Sequence, residues 1–143
     1  MAKIRGCKKR SLHVILILGA CLLAVCSRNP EERKQFYLGK ADSYFQKGQY
    51  REAAIMYQNV IQIEPRFAQA HYQLALCYLR QSEWQRAYAE AMRTVELEPT
   101  NWKAHLTVGD LLLAARQYAS AREHAEAVLK GEDDRVFFYN WPD

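Results

Sequence analysis

The histidines His71 and His105 are the residues of this chain whose type and spacing most suggest metal chemistry. They lie 34 residues apart, and no cysteine or carboxylate stands near them at a spacing that would complete a metal site. We therefore predict that both side chains pack inside the fold. A third histidine, His124, is expected on the surface.

Other catalytic chemistry has little support in the sequence. There is no nucleophile constellation and no glycine-rich phosphate loop. Glu96 and Glu98 are two positions apart and would point in different directions on a helix, so they make a poor acid–base pair. Cys77 follows an apolar run beside Tyr78 and is predicted to be a buried, inert thiol. We predict a protein that is not an enzyme and needs no metal or cofactor.

The charge of the chain is unevenly distributed. The net charge is +4, but the first 26 residues hold five basic residues and no acidic one, which leaves 15 basic and 16 acidic residues in the remainder. A nucleic-acid-binding domain would carry a basic patch in its body. The composition therefore argues against nucleic acid as a partner.

The N-terminal segment has the order of an export signal. A cationic stretch (Met1–Arg10) precedes an apolar run from Leu12 to Val25 that only His13 interrupts. The run is shorter than the roughly 20 residues that a membrane-spanning helix needs. We predict a signal peptide over residues 1–25, with an uncleaved inner-membrane anchor and cytoplasmic repeats as the alternative.

The end of this apolar run resembles the lipobox of bacterial lipoproteins. It reads Leu-Leu-Ala-Val and is followed by Cys26 and Ser27. The resemblance implies that Cys26 is acylated and becomes the first mature residue, with residues 26–29 as the lipidated start and a short linker. Cys21 is the alternative acylation site. Ser27 after the cysteine favours sorting to an outer membrane, by the rule of that family.

A period of 34 residues runs through the rest of the chain. Aromatic, alanine and proline residues recur in the same phase. The matching sets are Tyr44 and Tyr78; Tyr50, Trp84 and Tyr118; Ala53, Ala87 and Ala121; and Pro65 and Pro99. Such a period is typical of a helix-turn-helix solenoid.

The helices of this array can be placed from their start and stop signals. Asn29 can cap the first helix, Gly48 suits a tight turn, each proline ends the helix before it, and Gly131 is expected to end the last helix. The predicted helices are 30–47, 51–63, 67–80, 84–97, 101–115 and 118–130.

These residues resemble the tetratricopeptide repeat. The 34-residue frame of that family fits residues 34–67, 68–101 and 102–135. The signature positions hold Tyr37, Ala41, Tyr44, Ala53, Tyr57 and Pro65, then Leu74, Ala75, Tyr78, Ala87 and Pro99, then Gly109, Ala121 and Val128. The resemblance implies an all-α, right-handed solenoid of three hairpins over residues 30–135.

The last residues do not fit the repeat. Residues 136–143 are rich in aromatic side chains and are predicted to be an irregular tail. They are interpreted as a folded-back plug, a self-association surface or the truncated remainder of a longer array.

The family resemblance also implies a binding surface. Repeats of this family bind along the concave face formed by the first helix of each pair. Here that face is predicted to consist of Leu38, Asp42, Phe45, Gln69, Tyr72, Leu76, Leu79, Arg80, Lys103, Leu106, Asp110 and Leu113. This mixture of apolar and charged residues suits an extended or helical peptide. The alternative interpretation of Leu76, Leu79 and Leu113 is that they are core residues. The basic-and-asparagine pattern that clamps chaperone carboxylates in some relatives is absent.

Taken together, a signal, an acylated cysteine and these repeats resemble the tetratricopeptide lipoproteins of the bacterial PEP-CTERM and exopolysaccharide type. The resemblance implies a scaffold for other proteins, lipid-anchored in the cell envelope and facing the periplasm from the outer membrane. The alternatives are a structural subunit of an outer-membrane assembly, secretion or exopolysaccharide-export machine, and an accessory module that handles carbohydrate. The partner and the oligomeric state stay open.

Overall fold

The computed structural model describes residues 29–139, with side chains described for residues 29–131. Within this range the chain consists of helices and turns, with no strand. The helices are α1 (Pro30–Gln46), α2 (Tyr50–Ile63), α3 (Ala68–Arg80), α4 (Trp84–Leu97), α5 (Trp102–Ala114) and α6 (Tyr118–Tyr139). Their order and bounds follow the predicted positions closely, except at the C-terminal end.

The internal contacts divide the chain into two units, 1–33 and 34–143. Of the first unit, the structure describes residues 29–33. There the side-chain oxygen of Asn29 accepts a hydrogen bond from the backbone N–H of Glu31 at 3.1 Å. The helix begins at Pro30, as expected for a proline that occupies the first helical position. The two cysteines predicted as acylation sites, Cys21 and Cys26, lie outside the described residues.

Within each hairpin the two helices are joined by the same tight turn. The backbone N–H just after the turn bonds to a carbonyl five residues earlier. These bonds run from Gln49 to Tyr44 (3.0 Å), from Glu83 to Tyr78 (2.9 Å) and from Gln117 to Leu112 (2.8 Å). This is the Schellman closure of a helix, which requires a left-handed residue at its centre. Gly48, Ser82 and Arg116 take that conformation.

Between hairpins the chain turns at a proline. The N–H of Glu64 bonds to the carbonyl of Val60, and the N–H of Glu98 bonds to that of Thr94. The next residue in each case is a proline, which lacks an N–H and disfavours helical geometry in the residue before it. The predicted role of the two prolines is confirmed.

The core is built from small residues where helices approach and from larger ones between them. Ala53, Ala87 and Ala121, one in each repeat, are all buried. One cluster of buried residues joins α1, α2, α3 and α4, and a second joins α3, α4, α5 and α6. Because α3 and α4 contribute residues to both clusters, these two helices connect the two halves of the array.

The last helix is longer than predicted. It continues through Gly131 to Tyr139, so the expected end near residue 130 is wrong, and residues 136–139 are helical rather than irregular. A helix-ending glycine takes a positive φ, and Gly131 does not. An interior glycine only weakens a helix, by about 1 kcal/mol. Among the described residues, no helix has the length and apolar character needed to cross a membrane.

Candidate functional site

The predicted binding residues all lie on α1, α3 and α5, and none of them is fully buried. We call this set the first-helix face. Its half-buried members are Leu38, Phe45, Tyr72, Leu76 and Leu79. Its exposed members are Asp42, Gln69, Arg80, Lys103, Leu106, Asp110 and Leu113.

Three leucines of this face had an alternative interpretation as core residues. Leu113 is 52% exposed, which excludes that role for it. Leu79 is half-buried and packs against the first core cluster, and Leu76 is also half-buried. The first-helix face therefore presents apolar side chains to solvent while its base is anchored in the core.

One acidic residue of this face has a structural bond. The hydroxyl of Tyr57 donates a hydrogen bond to the Asp42 carboxylate at 2.6 Å. Tyr57 is 1% exposed, and its burial, followed by this hydrogen bond and the carboxylate charge, raises its pKa. The hydroxyl thus stays protonated and holds Asp42 in place. The 34-residue period does not predict this bond.

A pocket of about 580 Å³ opens between α3, α4 and α5. It brings together two predicted binding residues, Leu79 and Asp110. It also contains Trp84, which the sequence indicated only as a member of the repeat pattern. The remaining lining residues are Thr107, Leu111, Ala114 and Ala115. Trp84 is 55% exposed and lines the same pocket as the acidic residue Asp110. The 34-residue period alone does not predict this arrangement.

His71 is buried and makes two hydrogen bonds. Its Nε2 donates to the carbonyl oxygen of Pro65 at 3.1 Å, and its Nδ1 lies 2.7 Å from a carboxylate oxygen of Glu90. Since both partners are acceptors, the ring is best satisfied when both nitrogens carry protons. The bond to Glu90 is the main cause of a raised pKa for His71, with burial opposing it.

His105 repeats half of this arrangement. Its Nε2 faces the carbonyl oxygen of Pro99 at 3.0 Å, but its Nδ1 lies 2.9 Å from Nδ1 of His124. The predicted burial of His71 and His105 is confirmed. The predicted exposure of His124 is wrong, because it is half-buried against His105. Burial and then the neighbouring ring lower the pKa of His124.

Cys77 is completely buried and free, as predicted. Burial raises its pKa to about 12, so it remains a thiol rather than a reactive thiolate. Within the described part of the chain, no three His, Cys, Asp or Glu side chains come together in a way that could hold a metal ion.

Residues 41–82 match the family model described as TPR repeat. This segment of the chain is similar to the tetratricopeptide repeat. The match supports the predicted tetratricopeptide repeats, and the structure confirms the predicted all-α solenoid fold. The chain is also 28% identical over 91 residues to the Hsp70-Hsp90 organizing protein of Triticum aestivum. That match covers 64% of this chain and 16% of the wheat protein, so the chain spans only a small part of that relative.

Solved tetratricopeptide structures share the fold of this chain. The TPR2B domain of yeast Sti1, in its pHsp70 complex, is 20% identical with a TM-score of 0.67, over 72% of this chain and 82% of that one. The first TPR domain of Spaghetti (RPAP3), bound to the HSP90 peptide SRMEEVD, is 24% identical with a TM-score of 0.66, over 71% and 81% of the two chains. At these identities the likeness establishes the fold.

Proposed function

We propose that this protein is a non-catalytic scaffold that binds a peptide segment of another protein along its first-helix face. The observation that carries the proposal is the uncovered apolar surface of that face. Leu106 and Leu113 are 43% and 52% exposed on α5, and the members of the face on α1 and α3 include half-buried leucine and aromatic side chains. Exposed apolar surface of this kind, rimmed by charges, commonly marks an interaction site.

The rigid array makes such binding favourable. Stacked helices hold their side chains in place before a partner arrives, so little conformational entropy is lost on association. The tetratricopeptide proteins to which the chain is similar bind peptides of other proteins. This similarity supports peptide binding as the function of the present chain.

The charges of the face argue against an acidic tail as the preferred ligand. The peptide bound by the RPAP3 domain, SRMEEVD, ends in acidic residues. Here the bases Arg80 and Lys103 are balanced by Asp42 and Asp110, and the Asp42 carboxylate is held by Tyr57. A carboxylate-rich peptide would therefore meet like charges, which lowers its affinity.

Two substitutions test the first-helix face. Tyr72→Ala and Leu106→Ala should abolish crosslinking of the protein to its partner in cells, as followed by mass identification of the captured protein. The control is Ile55→Ala on α2, where an exposed apolar side chain (54%) lies off this face. If all three variants capture the same partner, the face is not the binding site. That result would favour the alternative of a structural subunit that uses its edges.

We also propose that the scaffold is a bacterial envelope lipoprotein, anchored by acylation of Cys26 and facing the periplasm from the outer membrane. The support is the order of the N-terminal segment: a cationic stretch, an apolar run, and a cysteine where the composition becomes polar. Several acyl chains together would give a stable anchor.

Metabolic labelling with palmitate tests this location. Cys26→Ala should lose the label, whereas Cys21→Ala should keep it. The reverse result would move the anchor to Cys21. Unlabelled wild-type protein would favour the uncleaved inner-membrane anchor with cytoplasmic repeats.

A further inference from the structure

Tyr50 and Trp84 occupy the same position in successive repeats, at the start of α2 and of α4. The space beside Tyr50 is filled by residues from the end of α3. The Arg80 guanidinium lies 6.0 Å from the centre of the Tyr50 ring. The amide of Gln81 donates a hydrogen bond to the Tyr50 carbonyl oxygen at 3.3 Å.

The same space beside Trp84 is not filled. One repeat after Arg80 and Gln81, the chain has Ala114 and Ala115. Both alanines line the pocket of about 580 Å³, and Trp84 is left more than half exposed. The pocket thus occupies the place where the preceding repeat holds an arginine side chain.

The lining of the pocket matches the parts of an arginine. Leu79 and Leu111 offer apolar walls for the methylene stem, and the Trp84 indole is the ring that best attracts a cation. The Asp110 carboxylate completes the lining, and no basic side chain of the described residues lies within ion-pair distance of it.

We propose that this pocket binds an arginine side chain of the partner protein, with the guanidinium between the Trp84 ring and the Asp110 carboxylate. The inference rests on the proposed function, since Leu79 and Asp110 belong to the first-helix face. It adds the chemistry that the partner must present there. A planar guanidinium can stack on the indole and bond to a carboxylate at the same time, which an ammonium does less well.

Other side chains fit this lining less well. An acidic side chain would be repelled by Asp110. An apolar side chain would desolvate that carboxylate without giving it a partner, which is unfavourable. A cation satisfies the carboxylate and the aromatic ring together.

A pair of synthetic peptides tests the proposal directly on the full-length chain in detergent micelles. The first is acetyl-Ala-Leu-Arg-Leu-Ala-amide, and the second has citrulline, the uncharged isostere, in place of arginine. NMR titration should show the indole N–H signal of Trp84 shifting with the arginine peptide. Loss of the charge should weaken binding roughly tenfold.

Two variants and their controls locate the site. Asp110→Asn should bring the affinities of the two peptides together, whereas Glu52→Gln, an equal charge change on α2, should leave them apart. Ala114→Arg should fill the pocket from within, as Arg80 does beside Tyr50, and so abolish peptide binding. Its control, Ala119→Arg, adds the same side chain outside the pocket lining and should bind normally.

The outcomes separate this inference from the proposed function. Equal affinity for the arginine and citrulline peptides, or normal binding by Ala114→Arg, would overturn the arginine pocket. If Tyr72→Ala and Leu106→Ala still lose the natural partner in that case, the first-helix face is the binding site but the pocket does not bind arginine. If the peptide behaves as expected while those two variants keep the partner, the pocket stands and the wider face is wrong.

Discussion

His71 and His105 occupy equivalent positions one repeat apart, yet the Nδ1 atoms face different groups. His71 faces the carboxylate of Glu90, and His105 faces the imidazole of His124. His124 occupies the position of Glu90 one repeat later. A carboxylate favours the charged form of a histidine, and a second histidine in a half-buried site disfavours charge. The two hairpins should therefore respond to acid in opposite ways.

The sign of each response follows from the direction of the pKa shift. The pKa of His71 is raised in the fold, so its contribution to stability is full below the unfolded value of about 6.5 and is lost as the pH rises through the folded pKa. The pKa of His124 is lowered, so its contribution is present above about 6.5 and is lost as the pH falls through the folded pKa. Arg93 opposes the first shift and Glu123 opposes the second.

We expect two variants to separate these contributions. Glu90→Gln should be less stable than the wild type by a larger margin at about pH 5.5 than at about pH 8, because it removes the carboxylate that favours charged His71. His124→Gln should show the reverse trend, since it removes a group whose protonation opposes folding. Urea denaturation at both pH values measures the two margins. A margin that changes with pH in the same direction for both variants would contradict the assignment.

The bond between Tyr57 and Asp42 gives a second prediction for single residues. Either Tyr57→Phe or Asp42→Ala should lower the free energy of unfolding by about 1–3 kcal/mol, because a buried hydroxyl loses its charged acceptor or is lost itself. The double variant should cost little more than one substitution. Asp110→Ala, the control on the same face, should change stability by less than about 0.5 kcal/mol. Fully additive losses in the double variant would show that the two residues act independently.

At the scale of single residues the sequence predicted burial better than it predicted partners. His71, His105 and Cys77 occupy repeat positions that face the core, so their burial could be predicted from the 34-residue period. The partners of the histidines lie 19 residues further along the chain, on the second helix of the hairpin. Such a contact depends on the exact rotation of two packed helices, which apolar periodicity does not specify.

At the scale of the helices and turns, the three hairpin turns share one geometry but not one residue type. Gly48, Ser82 and Arg116 have φ values of 73°, 60° and 60°. Glycine adopts this left-handed conformation without a steric penalty, whereas other residues pay roughly 1–2 kcal/mol. From the sequence, the left-handed turn residue could be predicted only at Gly48, where a glycine marks it.

This difference predicts the effect of exchanging the turn residues. Ser82→Gly and Arg116→Gly should each raise the free energy of unfolding by about 0.5–1 kcal/mol, since relief of the left-handed strain exceeds the greater entropy that glycine loses on folding. Gly48→Ala should lower it by about 1 kcal/mol. Thermal and urea denaturation of the three single variants measure the changes. Destabilisation by both glycine substitutions would mean that the serine and arginine side chains contribute contacts that outweigh the strain.

Helix positions were predictable because the stop signals are local. Proline and glycine act within one or two residues, and they mark most of the turns. The end of α6 was not predictable in this way, because Gly131 remains within the helix. The pocket beside Trp84 was missed for a different reason. It arises because Ala114 and Ala115 stand where the preceding repeat has the larger residues Arg80 and Gln81. The two alanines indicate a pocket only when the repeats are compared.

At the scale of the whole array, two core clusters join helices α1 to α6, and α3 and α4 contribute residues to both. In a repeat array each unit contacts mainly its neighbours, so stability is close to a sum of local terms and can be lost from one end first. The first cluster contains Leu74 and the second contains Leu112, and both leucines are buried. They offer a matched pair for testing how far the loss of one cluster spreads.

We expect Leu74→Ala and Leu112→Ala to lower the free energy of unfolding by similar amounts, about 2–4 kcal/mol, because each creates a cavity in a buried cluster. Native-state hydrogen exchange should then distinguish them. Leu112→Ala should reduce protection mainly in α5 and α6 and leave α1 and α2 close to the wild type. Leu74→Ala should reduce protection throughout α1 to α4, since its cluster spans these helices. A uniform loss of protection in both variants would show instead that the array unfolds as one cooperative unit, and the first-helix face would then open and close as a whole.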